Sequence, residues 1–184
     1  MKLLDRVLRD WRIARATSQI PPGAEVLDVG CHDGQLFRTL GPALRSGVGM
    51  DADLVGELEG DRYHLYPGHF PEDLPGDAGP FDAVTMLAVF EHIPNEAQAD
   101  VVAACWNVLK PGGVVVITVP SPLVDPMLDV MIKFRILDGM EADQHHGFVP
   151  ADLEPLFVAQ GFVPTLDQTF QLGLNNLVTF TKPR

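Results

Sequence analysis

The chain has 184 residues, 46% of them hydrophobic and 21% charged, which is apolar material for one sizeable core and little for a second. We expect a single domain over 1–184. Its 13 basic residues against 25 acidic ones give a net charge of −12, a surface that repels a phosphate backbone and so argues against polymeric DNA or RNA as partner. The 16 prolines and 17 glycines are scattered, so no stretch reads as a low-complexity linker.

Cys31 and Cys105 are too few for a disulfide framework and fit a reducing compartment. No run approaches the ~20 apolar residues of a membrane helix, and Asp5, Arg6, Arg9, Asp10 and Arg12 interrupt the N-terminal apolar positions, unlike a signal peptide. A soluble cytoplasmic protein is expected, with no membrane partner.

Residues 1–19 place Leu4, Val7 or Leu8, Trp11 and Ala14 at helical spacing and predict an amphipathic helix that ends at Pro21-Pro22-Gly23. Lys2, Arg6, Arg9, Arg12 and Arg15 against Asp5 and Asp10 make it the one basic segment. Glu25 to Gly30 then reads as a strand, and Gln35 to Leu40 as a helix before Gly41-Pro42. Gly47 to Asp51 predicts a second strand, Asp53 to Glu59 a short helix capped by Asp53, and Tyr63 to Tyr66 a third strand. Phe81 to Leu87 is a near-continuous apolar run, as in a strand buried on both faces. Asn95 to Leu109 reads as a long helix capped by Asn95 and stopped by Lys110-Pro111-Gly112-Gly113. Val114 to Val119 is β-branched almost throughout and reads as a strand.

Strands alternating with helices imply parallel βαβ units with helices on both sheet faces. The tail differs: a helix over Pro150 to Gln160 ends at Gly161, and Phe162 to Phe170 and Asn176 to Thr181 read as an antiparallel hairpin around Gly173. A helical insertion over 121–146 interrupts the alternation, at the strand end where open α/β sheets shape their ligand sites. Its Met127, Met131 and Phe134 read equally as a lid facing a flat apolar acceptor or as a helix closing the core.

The first strand-to-helix junction is Val26-Leu27-Asp28-Val29-Gly30-Cys31-His32-Asp33-Gly34. Gly30 and Gly34 permit a sharp turn and a close ligand, Asp28 presents a carboxylate, and the next helix offers free N–H groups. Asp51 ends the second strand about 20 residues after Gly30, where a carboxylate can accept both hydroxyls of a ribose. A nucleoside-containing ligand follows. A dinucleotide pyrophosphate wants G-x-G-x-x-G, but here the later positions hold His32 and Asp33, and an acid repels pyrophosphate. A ligand with a ribose and a cationic amino-acid tail tolerates both acids, which favours S-adenosylmethionine over NAD.

With these residues in view, the sequence resembles the class I S-adenosylmethionine-dependent methyltransferases, in particular the small-molecule group that includes the quinone-biosynthesis enzymes. The resemblance rests on six collinear pieces: VLDVGCHDG, GMD, FPEDLP, FDAVTMLAVFEHIP, LKPGGVVVITVP and HHGFVPADLEPLFVAQGF. It implies a Rossmann-like, doubly wound α/β/α fold whose seven-stranded sheet runs 3-2-1-4-5-7-6 with strand 7 antiparallel. It also implies S-adenosylmethionine as cofactor, with Asp28, Gly30, Cys31 and Gly34 at the methionine end, Asp51 on the ribose hydroxyls and Ala52 on the adenine. His69 and Phe70 would lie beside the adenine ring, and Leu87 and Ala88 beneath the sulfonium. Two positions depart from the family pattern: His32 replaces the usual middle glycine, and His69 a common adenine-contacting acid.

The implied activity is methyl transfer to an oxygen, nitrogen or carbon of a small-molecule acceptor, in which the protein chiefly aligns donor and acceptor. His145 and His146 are the candidate catalytic bases for a hydroxyl acceptor, or else a pair bracing the loop after the insertion. Glu91-His92 resembles a pair that holds a divalent metal in some quinone O-methyltransferases, but the third ligand position here is Ala88, so no metal is expected. His64 reads as a surface residue. Arg12 and Arg15 read either as contacts to the cofactor carboxylate or as a solvated face. A non-catalytic nucleoside-binding descendant is the alternative suggested by His32 and His69, and an NAD-linked oxidoreductase is disfavoured by the missing third glycine.

Overall fold

The computed structural model describes residues 3–121 and 150–184, with side chains from Arg6 onward. The apolar runs of the sequence become strands β1 (Ala24–Val29), β2 (Leu44–Asp51), β3 (Leu58–Gly60), β4 (Tyr63–Pro67), β5 (Phe81–Leu87), β6 (Leu109–Pro120), β7 (Val163–Phe170) and β8 (Asn175–Thr181). Among the described residues they form one sheet in the order β3-β4-β2-β1-β5-β6-β8-β7. β4, β2, β1, β5 and β6 pair in parallel, while β8 runs antiparallel to β6 and to β7. With β3 set aside, this is the expected seven-strand order with its antiparallel seventh strand.

The eighth strand is a correction. Asp53 to Glu59 does not form a helix: the Asp53 N–H donates to the Asp51 carboxylate at 2.9 Å, tying the chain into a local turn that competes with a helical start. Leu58 to Gly60 instead pairs antiparallel with Tyr63 to Leu65. The reversal at Asp61-Arg62 has Arg62 at φ +68, a geometry that suits tight hairpins.

Helices α1 (Leu3–Thr17) and α2 (Gln35–Leu40) cover one sheet face, and α3 (Asn95–Val108) and α4 (Leu153–Gln160) the other. Strand side chains alternate between the layers. Val26, Ala83 and Val116 meet Ile13, Ala16 and Phe37, whereas Leu27, Val84, Val115 and Ile117 meet Val101, Cys105 and Phe157. On the α3/α4 side Phe157 stacks on Phe180 with ring centroids 4.2 Å apart. α1 is rotated from the face predicted: Ile13 and Ala16 are buried, while Val7, Trp11 and Ala14 are exposed. Ile13, Ala16 and Ile20 recur three and four residues apart and continue into the core, which sets the helix's rotation and turns Arg9 and Arg12 toward the strand ends.

Asn95 does not cap α3 with its side chain. Its Oδ1 accepts from Gln98 Nε2 at 3.2 Å, and Pro94 occupies the cap position. The predicted helical insertion over 121–146, with His145 and His146, falls outside the described residues except for Ser121. Among those residues no helix is long and apolar enough to cross a membrane.

Candidate functional site

β1, β2 and β5 end together at one edge of the sheet, where open α/β sheets bind ligands. Asp28 is 4% exposed, on the strand face that α1 and α2 cover. Opposite it in register on β5 is Thr85, whose hydroxyl donates to Asp28 Oδ1 at 2.6 Å. Burial pushes the Asp28 carboxyl up to about 7, against the Thr85 hydrogen bond and helped by the nearby Asp51 charge.

The chain leaves β1 through Gly30, at φ +74. The Gly30 and Cys31 N–H groups both reach the Met50 carbonyl, at 2.8 and 3.2 Å, locking the loop to β2. A Cβ at Gly30 would stand 2.2 Å from Val89 Cγ2, so glycine is required both for the turn and for the packing. His32 takes φ +47 without being glycine. Its N–H donates to Asp51 Oδ2 at 2.8 Å, and Asp53 N–H donates to Asp51 Oδ1. Two backbone donors thus fix the Asp51 carboxylate while each oxygen keeps a lone pair for a further donor.

These groups open on a cavity of about 340 Å³ lined by Asp28, Gly30, Cys31, His32, Asp51, Leu87 and Ala88 from the strand tips and by Arg9, Arg12 and Ile13 from α1. A second hollow of about 640 Å³ shares His32, Asp33 and Asp51 and extends along Asp53 to Leu58. Together they form an elongated space whose shared section is lined by the polar His32, Asp33 and Asp51, with apolar side chains on the first cavity's wall.

Of the residues singled out from sequence, Asp28, Gly30, Cys31, Asp51, Leu87 and Ala88 are brought together on the first cavity. Gly34 stands behind the loop, at φ +73 and backed by Tyr63 and Leu65. Ala52 is exposed between two residues of the second hollow. His69 and Phe70 line neither space: His69 is exposed with its N–H on Asp73 Oδ2 at 2.8 Å, and Phe70 is packed into the core. His145 and His146 lie outside the described residues. Arg15 is exposed, while Arg12 lines the cavity. His64 is half-buried on β4, stacked on Tyr66 and 2.9 Å from Glu57 Oε2. Among the described residues no group of three His, Cys, Asp or Glu side chains is arranged to hold a metal.

Asp33 carries less free charge than its sequence position suggests, because Arg38 and Arg9 approach its Oδ2 at 3.0 and 3.5 Å. Sequence reasoning missed Arg9, Val89 and Thr85. Thr85 had a signal, as one of two polar side chains in the Phe81–Leu87 run. Arg9 stood on the basic helix but was not set apart from its neighbours, and no local signal marked Val89.

A methyltransferase domain family matches residues 2–165. A ubiquinone biosynthesis O-methyltransferase of Psychrobacter arcticus is 30% identical over 154 residues, covering 76% of this chain and 59% of that protein; the chain thus spans about three fifths of that relative's length. Among solved structures, a chain in the Haloferax volcanii complex with the Trm112 methyltransferase activator superposes with a TM-score of 0.73 at 16% identity, covering 96% of this chain and 91% of that one. The Burkholderia thailandensis 1,6-didemethyltoxoflavin-N1-methyltransferase, solved with S-adenosylhomocysteine, superposes with a TM-score of 0.68 at 19% identity, covering 94% and 79%. These likenesses show the Rossmann-like fold of class I methyltransferases, and the match over residues 2–165 shows that the chain belongs to the methyltransferase domain family.

Proposed function

We propose that the cavity holds S-adenosylmethionine and that the protein transfers its methyl group to an oxygen, nitrogen or carbon atom of a small metabolite. The observation that carries this reading is the opening of two carboxylates, Asp28 and Asp51, on one cavity at adjacent strand tips. Asp28 is buried and has no cation within hydrogen-bond reach among the described residues, so a ligand ammonium offers it the opposite charge it lacks. Asp51, held by two N–H groups, is set to accept both ribose hydroxyls. Arg12 faces the same space and is suited to the carboxylate of the amino-acid tail.

Bound there, the sulfonium supplies a methyl carbon already activated for displacement. The task of the chain is then alignment and exclusion of water. Leu87, Ala88 and Ile13 form the apolar wall beside Asp28, and Ala88 is held at φ +60 with its N–H on the Thr118 carbonyl at 2.9 Å, a strained backbone of the kind that clusters at functional sites. Gly30, Cys31 and Gly34 form the loop around the tail. Ala52 falls on the adenine side in this reading, beside the second hollow, and His145 or His146 supplies a base when the acceptor is a hydroxyl. Oxygen is the acceptor atom favoured by the O-methyltransferase relatives. Two buried, unpaired thiols, Cys31 and Cys105, suit a reducing compartment such as the cytoplasm.

Calorimetric titration with S-adenosylhomocysteine, followed by mass spectrometry of S-adenosylmethionine incubated with phenols, quinols, amines and carboxylates, tests the proposal. Saturable binding, its loss in Asp51→Ala, and one methylated product are expected. Absence of binding at high micromolar ligand would remove the reading, and binding without product across broad panels would favour a nucleoside-binding protein without catalysis.

A further inference from the structure

Asp28 and Thr85 face each other as register partners on β1 and β5, and both are buried, at 4% and 0% exposure. The Thr85 hydroxyl has a single proton to give. It stands 2.6 Å from Asp28 Oδ1 and 3.3 Å from the Leu27 carbonyl, so the carboxyl takes it. Among the described residues no other side chain hydrogen-bonds Asp28.

Of the two partners Thr85 is the fixed one. It sits within β5, paired with Asp28 of β1 on one side and with Val116 of β6 on the other, and its branched Cβ restricts rotation about χ1. The Asp28 carboxyl turns about a terminal torsion of broad preference and lines the cavity. A hydrogen bond from the rigid strand to Oδ1 therefore sets the plane of the carboxyl and leaves Oδ2 for a ligand. The same bond favours the anion, opposing the rise that burial imposes on the Asp28 carboxyl.

We propose that Thr85 is a positioning residue: its hydroxyl anchors one oxygen of Asp28 to the sheet so that the other meets the ammonium of the ligand's amino-acid tail. This rests on the reading of the cavity as an S-adenosylmethionine site. It assigns Thr85, which does not itself line the cavity, to recognition of one end of the ligand through Asp28.

Two ligands and a pH series test the role. S-adenosylhomocysteine carries the tail, and 5′-methylthioadenosine keeps the adenosine without it. Thr85→Val removes the hydroxyl at nearly constant shape. Losing a hydrogen bond to the anion raises Asp28 further from about 7, by about one pH unit. The ionised fraction at pH 7 then falls from about a half to about a tenth. Calorimetry between about pH 5.5 and pH 8 is expected to show the rise of S-adenosylhomocysteine affinity with pH displaced upward by about one unit in Thr85→Val, a loss of about fivefold at pH 7, with 5′-methylthioadenosine within about twofold of wild type. The other titratable groups on the cavity, Asp51 from β2, Cys31, His32 and Asp33 from the loop, and Arg9 and Arg12 from α1, are common to both proteins. Thr85→Ser restores the donor and is expected to return the pH profile to that of wild type. In an Asp28→Asn background Thr85→Val is expected to have no further effect on affinity. Should Thr85→Val fail to fold, Thr85→Ala is expected to show the same displacement. Equal loss for both ligands, coincident pH profiles, no rescue by serine, or a Thr85 effect that persists without the Asp28 charge would overturn the role. If the wild-type protein binds neither nucleoside, the cofactor reading itself falls; if it binds both and Thr85→Val matches it, only the role of Thr85 does.

Discussion

Asp28→Asn separates what the buried carboxylate costs from what it does. Asparagine keeps an Oδ1 for the Thr85 hydroxyl, so the hydrogen bond at 2.6 Å survives while the charge disappears. Burial raises Asp28 from 3.8 to about 7, so the folded, ligand-free protein holds this proton more tightly than the unfolded chain. The stability it contributes is full below the unfolded value and is lost as pH rises through about 7. A shift of about three pK units corresponds to about 4 kcal/mol. Between about pH 5.5 and pH 8 roughly half of that, ~2 kcal/mol, is lost by the wild type and kept by Asp28→Asn. Glu91 is raised in the same sense, to about 7, but is common to both proteins and cancels in the comparison. Urea unfolding of both at the two pH values reads the difference. The variant is also expected to lose S-adenosylhomocysteine binding at least about tenfold, for want of an anion facing the ammonium. A stability difference that does not change with pH would refute the reasoning.

Gly30→Ala places a methyl 2.2 Å from Val89 Cγ2 at φ +74; it should cost about 2 kcal/mol in thermal unfolding and abolish ligand uptake in calorimetry. Lys182→Met removes charged hydrogen bonds from Nζ to the carbonyls of Trp106 at 2.6 Å and Leu109 at 2.8 Å, which close the end of α3. Its urea midpoint should fall by the equivalent of about 1–2 kcal/mol, with ligand affinity unchanged. Burial pushes the Asp82 carboxyl up, but the Glu25 N–H and Lys110 outweigh it and hold it below the usual carboxylate range. Its contribution is present above that range and lost as pH falls through the lowered value, so acid unfolding of Asp82→Asn should show a shallower dependence on pH than the wild type.

The sheet was legible because its strands are punctuated. Val114 to Val119 is β-branched, Phe81 to Leu87 is apolar on both faces, and glycine or proline borders each of these runs, so element type followed from side-chain shape and order from the βαβ alternation. Asp53 to Glu59 misled because the Asp53 N–H is tied to the Asp51 carboxylate in a local turn, and Leu58 to Gly60 beyond it finds a pairing partner in β4. The rotation of α1 is a tertiary matter: Trp11 and Ile13 are both apolar, and only the partners that Ile13 finds beside Ala16 and Ile20 decide between them. At the site, the Asp28, Gly30 and Asp51 spacing announced itself through backbone requirements. Val89 folding over Gly30, Arg12 lining the cavity and the burial of Glu91 depend on tertiary packing at the strand ends, which no local pattern encodes.

The central claim is that the tips of β1 and β2 grip the two ends of one ligand. A crystal soaked with S-adenosylhomocysteine examines it directly. The account predicts density with the ribose hydroxyls on Asp51, the ammonium toward Asp28 and the tail carboxylate within reach of Arg12. Density for the nucleoside anywhere else on the protein, or a cavity closed off by the His32 ring, would contradict it.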